Sequence, residues 1–352
     1  MRVAIPLFNS EQRAPHNAPF SWGDVEKIAP LRESGLCLLA REKNSGASNL
    51  QAFGPEAGKY WKRSDMKTSG IPIWWDKNYI GNQERTVLFF KSTEGLAIPY
   101  SDGGEVAEVG LVGPYSMAYP LEPESRYTFD NYKDAWEQFS NHLRKDIIIR
   151  LPPRSHFPEL VDQNTKALLS LGAEMLFEDQ NFSIRLDGLG NAFRRNRIRD
   201  ATTASKLGMK FSSCSIEQAM ELIAINRQAK GRPVSMDARQ AVRLDHQTPE
   251  RIRTFAVKLN ESLVSAAILL RVDDRIDYVF MWGHDPSNPL GGKSLSLLAQ
   301  GLVAESRADG KRMLCLGVAS SEGVRDEGLS SFKEGLGAEA ESRPSLRLAK
   351  HA

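Results

Sequence analysis

Arg85-Thr86-Val87-Leu88-Phe89-Phe90-Lys91 returns as Arg253-Thr254-Phe255-Ala256-Val257-Lys258, an offset of 168 residues. The segments downstream of the two copies also match in order. A short polar turn (Ser92 to Gly95; Asn260 to Ser262) leads into an apolar strand, Leu96 to Tyr100 or Leu263 to Leu270, so each half contains a hairpin. A strand ending in glycine comes next, Val109 to Gly113 or Tyr278 to Gly283, then a proline-containing loop and a helix-length segment, Asn131 to Leu143 or Ser294 to Ala308. Near-continuous apolar runs come after these, Asp146 to Leu151 and Lys311 to Val318, as expected of strands covered on both faces. Each copy passes through Leu-Gly-Ala-Glu (171–174; 336–339) and closes on matching strands, 182–186 and 345–348. The period is far longer than the roughly 20–50 residues of solenoid units, so the chain reads as two domain-sized copies.

Each copy thus reads as helices, an antiparallel meander, then strand, helix, strand, helix, strand. A meander that turns into a βαβ segment predicts an α/β class with mixed sheets flanked by helices. The boundary falls at Asp187 to Gly190, which gives an N-terminal lobe over 1–188 and a C-terminal lobe over 189–352. In the second copy the spacing predicts helices over 192–207, 216–230 and 236–245, with Ser215 as N-cap of the middle one.

Composition excludes several classes. Of 352 residues 41% are hydrophobic and 26% charged, which is the globular range, and 46 Lys+Arg against 44 Asp+Glu leave only +2. A surface devoted wholly to nucleic acid or anionic membrane is therefore not expected. Cys37, Cys214 and Cys315 lack metal or dithiol spacing and fit a reducing compartment; six histidines form no i,i+4 pair, and no metal site is implied. Leu263 to Leu270, the longest apolar stretch, is far short of the roughly 20 residues of a membrane span. Pro6, Asn9, Glu11 and Arg13 interrupt the start too early for a signal peptide, so a cytoplasmic protein is expected.

The most specific local stretch is Asp326-Glu327-Gly328-Leu329-Ser330-Ser331-Phe332-Lys333-Glu334-Gly335-Leu336-Gly337. It is similar to the Gly-Leu-x-x-Phe-Lys-x-x-x-Gly signature of the Fem-type group. The order of meander and βαβ segment resembles the GNAT (acyl-CoA N-acyltransferase) fold, and two copies in tandem look like the Fem-type arrangement. Asn191 to Arg199 resembles the arginine-rich helix that links the lobes there. The best-known members transfer amino acids from aminoacyl-tRNA to peptidoglycan precursors. No long coiled-coil insertion, which the tRNA-using enzymes often carry, interrupts the second lobe, and this favours acyl-CoA as donor. The resemblance implies two tandem GNAT-like domains, the second binding the donor and the first helping to shape the acceptor groove.

In a GNAT-like site a diphosphate rests on backbone N–H groups at the start of the helix after the fourth strand. Here that place is Pro289 to Ser294. Gly291 and Gly292 permit close backbone approach, Lys293 adds a charge, and Ser294 opens the helix. The same residues read equally as a plain loop and cap. Gly-Lys-Ser is not a P-loop, because Ser287 stands where the first glycine is required. The corresponding loop of the first copy, 113–124, holds Pro114, Pro120, Pro123, Glu122 and Glu124 and no basic residue, so it is a poor phosphate cradle.

Residues 185–258 carry 15 Lys+Arg against 7 Asp+Glu. The stretch holds Arg194, Arg195, Arg197 and Arg199, then Arg227, Lys230 and Arg232 around a Gly-Arg-Pro turn. Arg194, Arg195, Arg199 and Arg232 are candidates for binding an anionic acceptor, against a reading in which Arg195 and Arg199 merely share a solvated helix face. For catalysis, the resemblance puts Lys333 beside the donor or the developing oxyanion, where the plain alternative is a surface helix lysine. Acylation of an amine also needs a proton acceptor, and Glu327, Asp277 and Tyr278 lie where the sheet is expected to open. Tyr278 and Trp282 are expected to alternate onto one face of their strand. Tyr60, Trp61, Trp74, Trp75 and Tyr79 form an aromatic concentration, a stacking platform or a core.

The sequence therefore predicts an N-acyltransferase that moves an acyl or aminoacyl group from an activated donor, acyl-CoA by preference, to an amine of an anionic acceptor. By resemblance the acceptor is a small molecule or a glycan or cell-envelope precursor. An aminoacyl-tRNA-dependent transferase and a non-catalytic binding module are the alternatives.

Overall fold

A computed structural model describes residues 88–110, 117–120, 126–188 and 193–350. The aromatic concentration at 60–79 lies outside the described residues.

The meander of the first half is β1 (Leu88–Lys91), β2 (Leu96–Asp102) and β3 (Val106–Val109), with β4 (Tyr119–Pro120) laid against β2. It is followed by α1 (Phe129–Leu143), β5 (Asp146–Arg150), α2 (Pro158–Ser170) and β6 (Glu174–Arg185). The second half opens with α3 (Arg195–Lys206), a short strand β7 (Lys210–Ser213), α4 (Ile216–Ala229) and α5 (Ala238–Gln247). Then come β8 (Ile252–Leu259), β9 (Ser262–Arg271), β10 (Ile276–His284), α6 (Gly291–Ala308) and β11 (Met313–Val318). A small hairpin, β12 (Ser320–Ser321) and β13 (Val324–Arg325), precedes α7 (Glu327–Gly335) and β14 (Glu339–Leu348). Ser215 does cap α4, its hydroxyl accepting from the Gln218 N–H while Gln218 reaches back, a reciprocal capping box.

The pairing order of one half recurs in the other. β1–β2 and β2–β3 are antiparallel and β3–β5 parallel; β8–β9 and β9–β10 are antiparallel and β10–β11 parallel. The closing strands are where the structure departs from two separate sheets. β14 lies between β5 and β6, antiparallel to both, with Leu346 opposite Ile149. β6 in turn pairs with β11, Leu314 opposite Ile184. Each half is thus closed by the other half's last strand, and a single path runs β1-β2-β3-β5-β14-β6-β11-β10-β9-β8-β7. At 12 and 10 residues, β6 and β14 are long enough to satisfy two strand edges that would otherwise stay unpaired.

The buried runs divide by parity between two cores, as the two-residue period of a strand requires. Ala266, Ile268 and Leu270 of β9 face the core formed with α1, α2, α4 and α5, which centres on Trp136, Phe139, Ile147 and Ile149. Ala267 and Leu269 face the core under α3, α6 and α7, with Phe182, Leu298, Leu302, Leu314 and Leu316. Because both faces are covered, β9 reads as an uninterrupted apolar strand.

Candidate functional site

The parallel pairing of β10 with β11 ends at Tyr278 opposite Cys315, although β10 runs on to His284 and β11 to Val318. Both strands carry a bulge just beyond that point, between Val279 and Met281 and between Cys315 and Gly317. An extra residue on each strand increases local twist and ends the ladder, so the sheet opens toward the C-terminal ends of these two strands.

A pocket of about 330 Å³ lies at this opening. Trp282, Leu295, Leu329 and Phe332 supply its apolar wall; Asn226, Lys230, Arg232 and Asp326 supply its polar groups. The Trp282 and Phe332 rings meet edge to face at 5.6 Å, and the Arg197 guanidinium of α3 lies 4.7 Å from the centre of the Phe332 ring. Asn226 anchors α4 on the strand by donating to the His284 carbonyl at 2.6 Å. The contact depends on Gly283, where a Cβ would stand 2.9 Å from the Asn226 Cβ.

The electrostatics of the rim are uneven. Asp326 caps α7, accepting from the Leu329 N–H at 2.9 Å, and its second oxygen accepts from Arg232 at 2.5 Å; these bonds hold its carboxyl below the usual range. Arg227 and Lys230 stand on the same helix end, and neither side chain has a hydrogen-bonded or ion-paired acceptor among the described residues. Partial desolvation pushes both down from their ordinary values, and the repulsion of Arg232 adds to it. Two cations, Lys230 and Arg232, thus line a pocket that supplies one carboxylate, and Arg227 lies close enough to repel both.

Behind the pocket, at the bulge of β11, stands Lys333. It is 2% exposed, and its Nζ donates to the carbonyls of Gly317 and Val318 at 2.9 and 2.8 Å. The Phe182 ring centre is 5.7 Å away. Burial pushes its ammonium down to about 7. Gly317 holds the bulge at φ +74°, a conformation that a side chain would strain. Its N–H reaches the Cys315 sulfur at 3.4 Å, and a Cβ there would lie 3.3 Å from the Tyr278 hydroxyl. Burial raises the Tyr278 phenol to about 12.

Of the expected residues, the structure puts Arg232 in the pocket lining and Lys333 and Tyr278 around Gly317 behind it, and separates others. Asp277, adjacent to Tyr278 in sequence, points to the opposite face from it, toward α6, near the start of β10 and away from the opening at its end. There it accepts from Arg253 and from Ser306, both at 2.8 Å, and Arg253 also pairs with Asp309. Ser306 is in the last turn of α6, about 20 Å along that helix from Gly291. Glu327 is 80% exposed and pairs with Arg325 rather than facing the pocket. Tyr278 and Trp282 do not share a face, because the bulge at residues 279–281 reverses the parity: Tyr278 packs on the first core and Trp282 on the second.

The expected donor loop is tightly packed. Gly291 is required by contact, since a Cβ would stand 2.2 Å from His284 Nδ1, and its N–H is already bonded to Asn288. The N–H groups of Lys293 and Ser294 both bond to the Leu290 carbonyl, and buried Ser294 turns its hydroxyl to the Gly291 carbonyl. Exposed Gly292 keeps a backbone N–H without a bond in the loop. Arg194 bonds Gly335 through its backbone and pairs with Glu334, while Arg195 and Arg199 lie exposed on α3.

Asn226 was not among the expected site residues. Its signal was a polar side chain in the buried stripe Ile216, Ala219, Met220, Ile223, Asn226 of α4. Among the described residues no group of three or more His, Cys, Asp or Glu could hold a metal ion, and no helix is long and apolar enough to cross a membrane.

No protein-family model matches the chain, and no curated protein matches it in sequence. Solved structures do match. L-PGS from Bacillus licheniformis aligns at a TM-score of 0.58 with 10% identity, over 87% of this chain and 95% of that one. FemX aligns at 0.56 with 11% identity, over 86% of this chain and 97% of that one. The repeated meander and βαβ order, the opened β10–β11 pair and these likenesses agree: the chain shares the fold of FemX and L-PGS.

Proposed function

We propose that the chain is a transferase that moves an acyl or aminoacyl group from an activated, anionic donor to an amine, with the reacting carbonyl held at the opening between β10 and β11. The observation that carries this reading is the pairing of an apolar-walled pocket lined by Lys230 and Arg232 with a third cation, Arg227, beside them; Arg227 and Lys230 have no acceptor of their own among the described residues. A partly desolvated cation without a partner is unfavourable until an anion arrives. Arg227, Lys230 and Arg232 bind the charged part of the ligand, and the apolar wall takes the acyl group. Lys333, held by two carbonyls, keeps a third N–H for the oxygen on which negative charge develops during acyl transfer. With its ammonium titrating near neutrality it can also take part in the proton movement that releases the product. Catalysis of this kind rests mainly on positioning.

Two donors fit. An acyl-CoA would place its diphosphate near Gly292 and Lys293. An aminoacyl-tRNA is favoured by a specific observation: three of the four N–H groups at 291–294 are already used within the loop, while Arg195 and Arg199 offer exposed cations on α3. By the Fem-type resemblance the acceptor is a glycan or cell-envelope precursor. Melting titrations with coenzyme A, acetyl-coenzyme A and charged tRNA separate the donors, since a ligand at 100 times its Kd adds about 2.7 kcal/mol of stability. A saturable rise with coenzyme A that Lys293→Glu abolishes supports the first donor. A response only to charged tRNA, falling steeply with salt, supports the second. No response to any of them, with Arg232→Gln indistinguishable from the parent, refutes the proposal.

A further inference from the structure

Lys230 occupies a position in the pocket that binding an anion does not fully account for. It projects from the C-cap of α4 into the same cavity as Trp282, Leu295, Leu329 and Phe332, where the acyl group would lie. No carboxylate lies within ion-pairing distance of its Nζ among the described residues. Asp326, the acidic residue of the pocket, is engaged by Arg232 and by the first turn of α7. The cavity thus holds an exposed primary amine flanked by Arg227 and Arg232, two guanidiniums that stay charged at any ordinary pH.

We propose that Lys230 is a self-acylation site: in the absence of acceptor, its Nζ attacks the carbonyl of an acyl thioester in the pocket and becomes Nε-acyl-lysine. In this step the amine lone pair forms the C–N bond, the C–S bond breaks, the thiolate leaves, and the proton lost from nitrogen passes to the thiolate or to water. No oxidant, reductant or further reactant is needed. Partial desolvation at the pocket wall favours the neutral, nucleophilic amine, and the neighbouring cations Arg232 and Arg227 act in the same direction. The product is an amide, too stable to pass the acyl group on, so the modification is an end state. It removes one of three positive charges and fills part of the cavity, and therefore weakens binding of the next anionic ligand. The delivery of a thioester rests on the acyl-CoA form of the proposed transferase activity; the reactivity of the amine does not.

The test separates the two. The full chain is incubated at pH 8 with acetyl-coenzyme A or with a small thioester lacking any anionic carrier, S-acetyl-N-acetylcysteamine. Acetylation at Lys230 and at exposed Lys350 is then quantified by peptide mass spectrometry, with urea-denatured protein as the control for sequence-intrinsic reactivity. The expected result is severalfold more acetyl at Lys230 than at Lys350 in folded protein, collapsing to parity in urea, where the pocket that presents Lys230 to the thioester no longer exists. Arg227→Gln should lower the Lys230 signal severalfold with the small thioester by relieving the repulsion. Preference for Lys230 with the small thioester alone leaves the site standing and sinks the coenzyme A donor. Parity of Lys230 with Lys350 under both reagents overturns the proposal.

Discussion

Lys333→Met removes the buried ammonium of α7 while keeping most of its volume. In the folded chain the Lys333 Nζ is bonded to Gly317 and Val318, is 2% exposed, and titrates at about 7; unfolded, a lysine titrates near 10.4. Between those values the unfolded chain binds more protons than the folded one, so the stability of the parent rises with pH across that window. The slope approaches roughly 1 kcal/mol for each pH unit, which gives about 2 kcal/mol between pH 7 and 9. The methionine variant has no such term, though it leaves two carbonyls without a donor at every pH, at a cost of about 1–3 kcal/mol each. For a chain of 352 residues the pH-dependent part corresponds to a relative Tm shift of about 3 °C. The assay is differential scanning fluorimetry of parent and variant at pH 7, 8 and 9. The parent should gain Tm over the variant at each step, and the titration near 7 in the pH profile of kcat should vanish in the variant. Parallel Tm curves would show that Lys333 keeps its ordinary pKa and would refute the argument from burial.

Gly110 has φ +94°, and a Cβ there would stand 2.4 Å from the Arg150 carbonyl oxygen, so Gly110→Ala should cost on the order of 2–5 kcal/mol, read as a Tm drop of about 3–7 °C. Burial raises the Asp277 carboxyl, so the folded chain holds that proton longer than the unfolded chain and loses stability as pH rises from the unfolded value through the folded one. Asp277→Asn should flatten that part of the Tm–pH curve while leaving turnover within about twofold; a large loss of turnover with unchanged Tm would return Asp277 to the chemistry. Ending the chain after Gly337 removes β14 and leaves β5 and β6 without their shared neighbour, so no soluble, cooperatively melting protein is expected, and a truncated chain with a sharp melt would contradict the exchanged closure.

Much of the architecture was legible because both halves repeat local patterns that need little tertiary information. The hairpin at 252–271 follows from two β-rich runs around a polar turn, and α4 from a clean amphipathic stripe behind a serine cap. Strand β7 was missed because four residues, Lys-Phe-Ser-Ser, give no periodicity; the strand exists because it pairs with β8 and because Phe211 stacks on Phe255. The candidate site was legible in part. Lys333 is singled out by its family-like surroundings, whereas Asp277 and Glu327 are chosen as residues at strand ends or loops where the sheet is expected to open, a criterion that carries no information on the face of an element that a side chain occupies.

The sequence by itself determined the two passes through meander, strand, helix and strand, the fully buried central strands, and a local excess of positive charge, because propensity, periodicity and composition act over a few residues. Tertiary structure alone decided which strand closes which half, since β6 and β14 match each other's edges as well as their own and only long-range pairing selects the exchange. It also decided the bulges that set Tyr278 and Trp282 on opposite faces, and the convergence of α4, β10 and α7 that turns scattered Asn226, Arg232, Asp326 and Phe332 into one pocket. Those outcomes depend on contacts between residues tens to hundreds of positions apart, where the free energy of packing and of satisfying buried polar groups, rather than local preference, selects the arrangement.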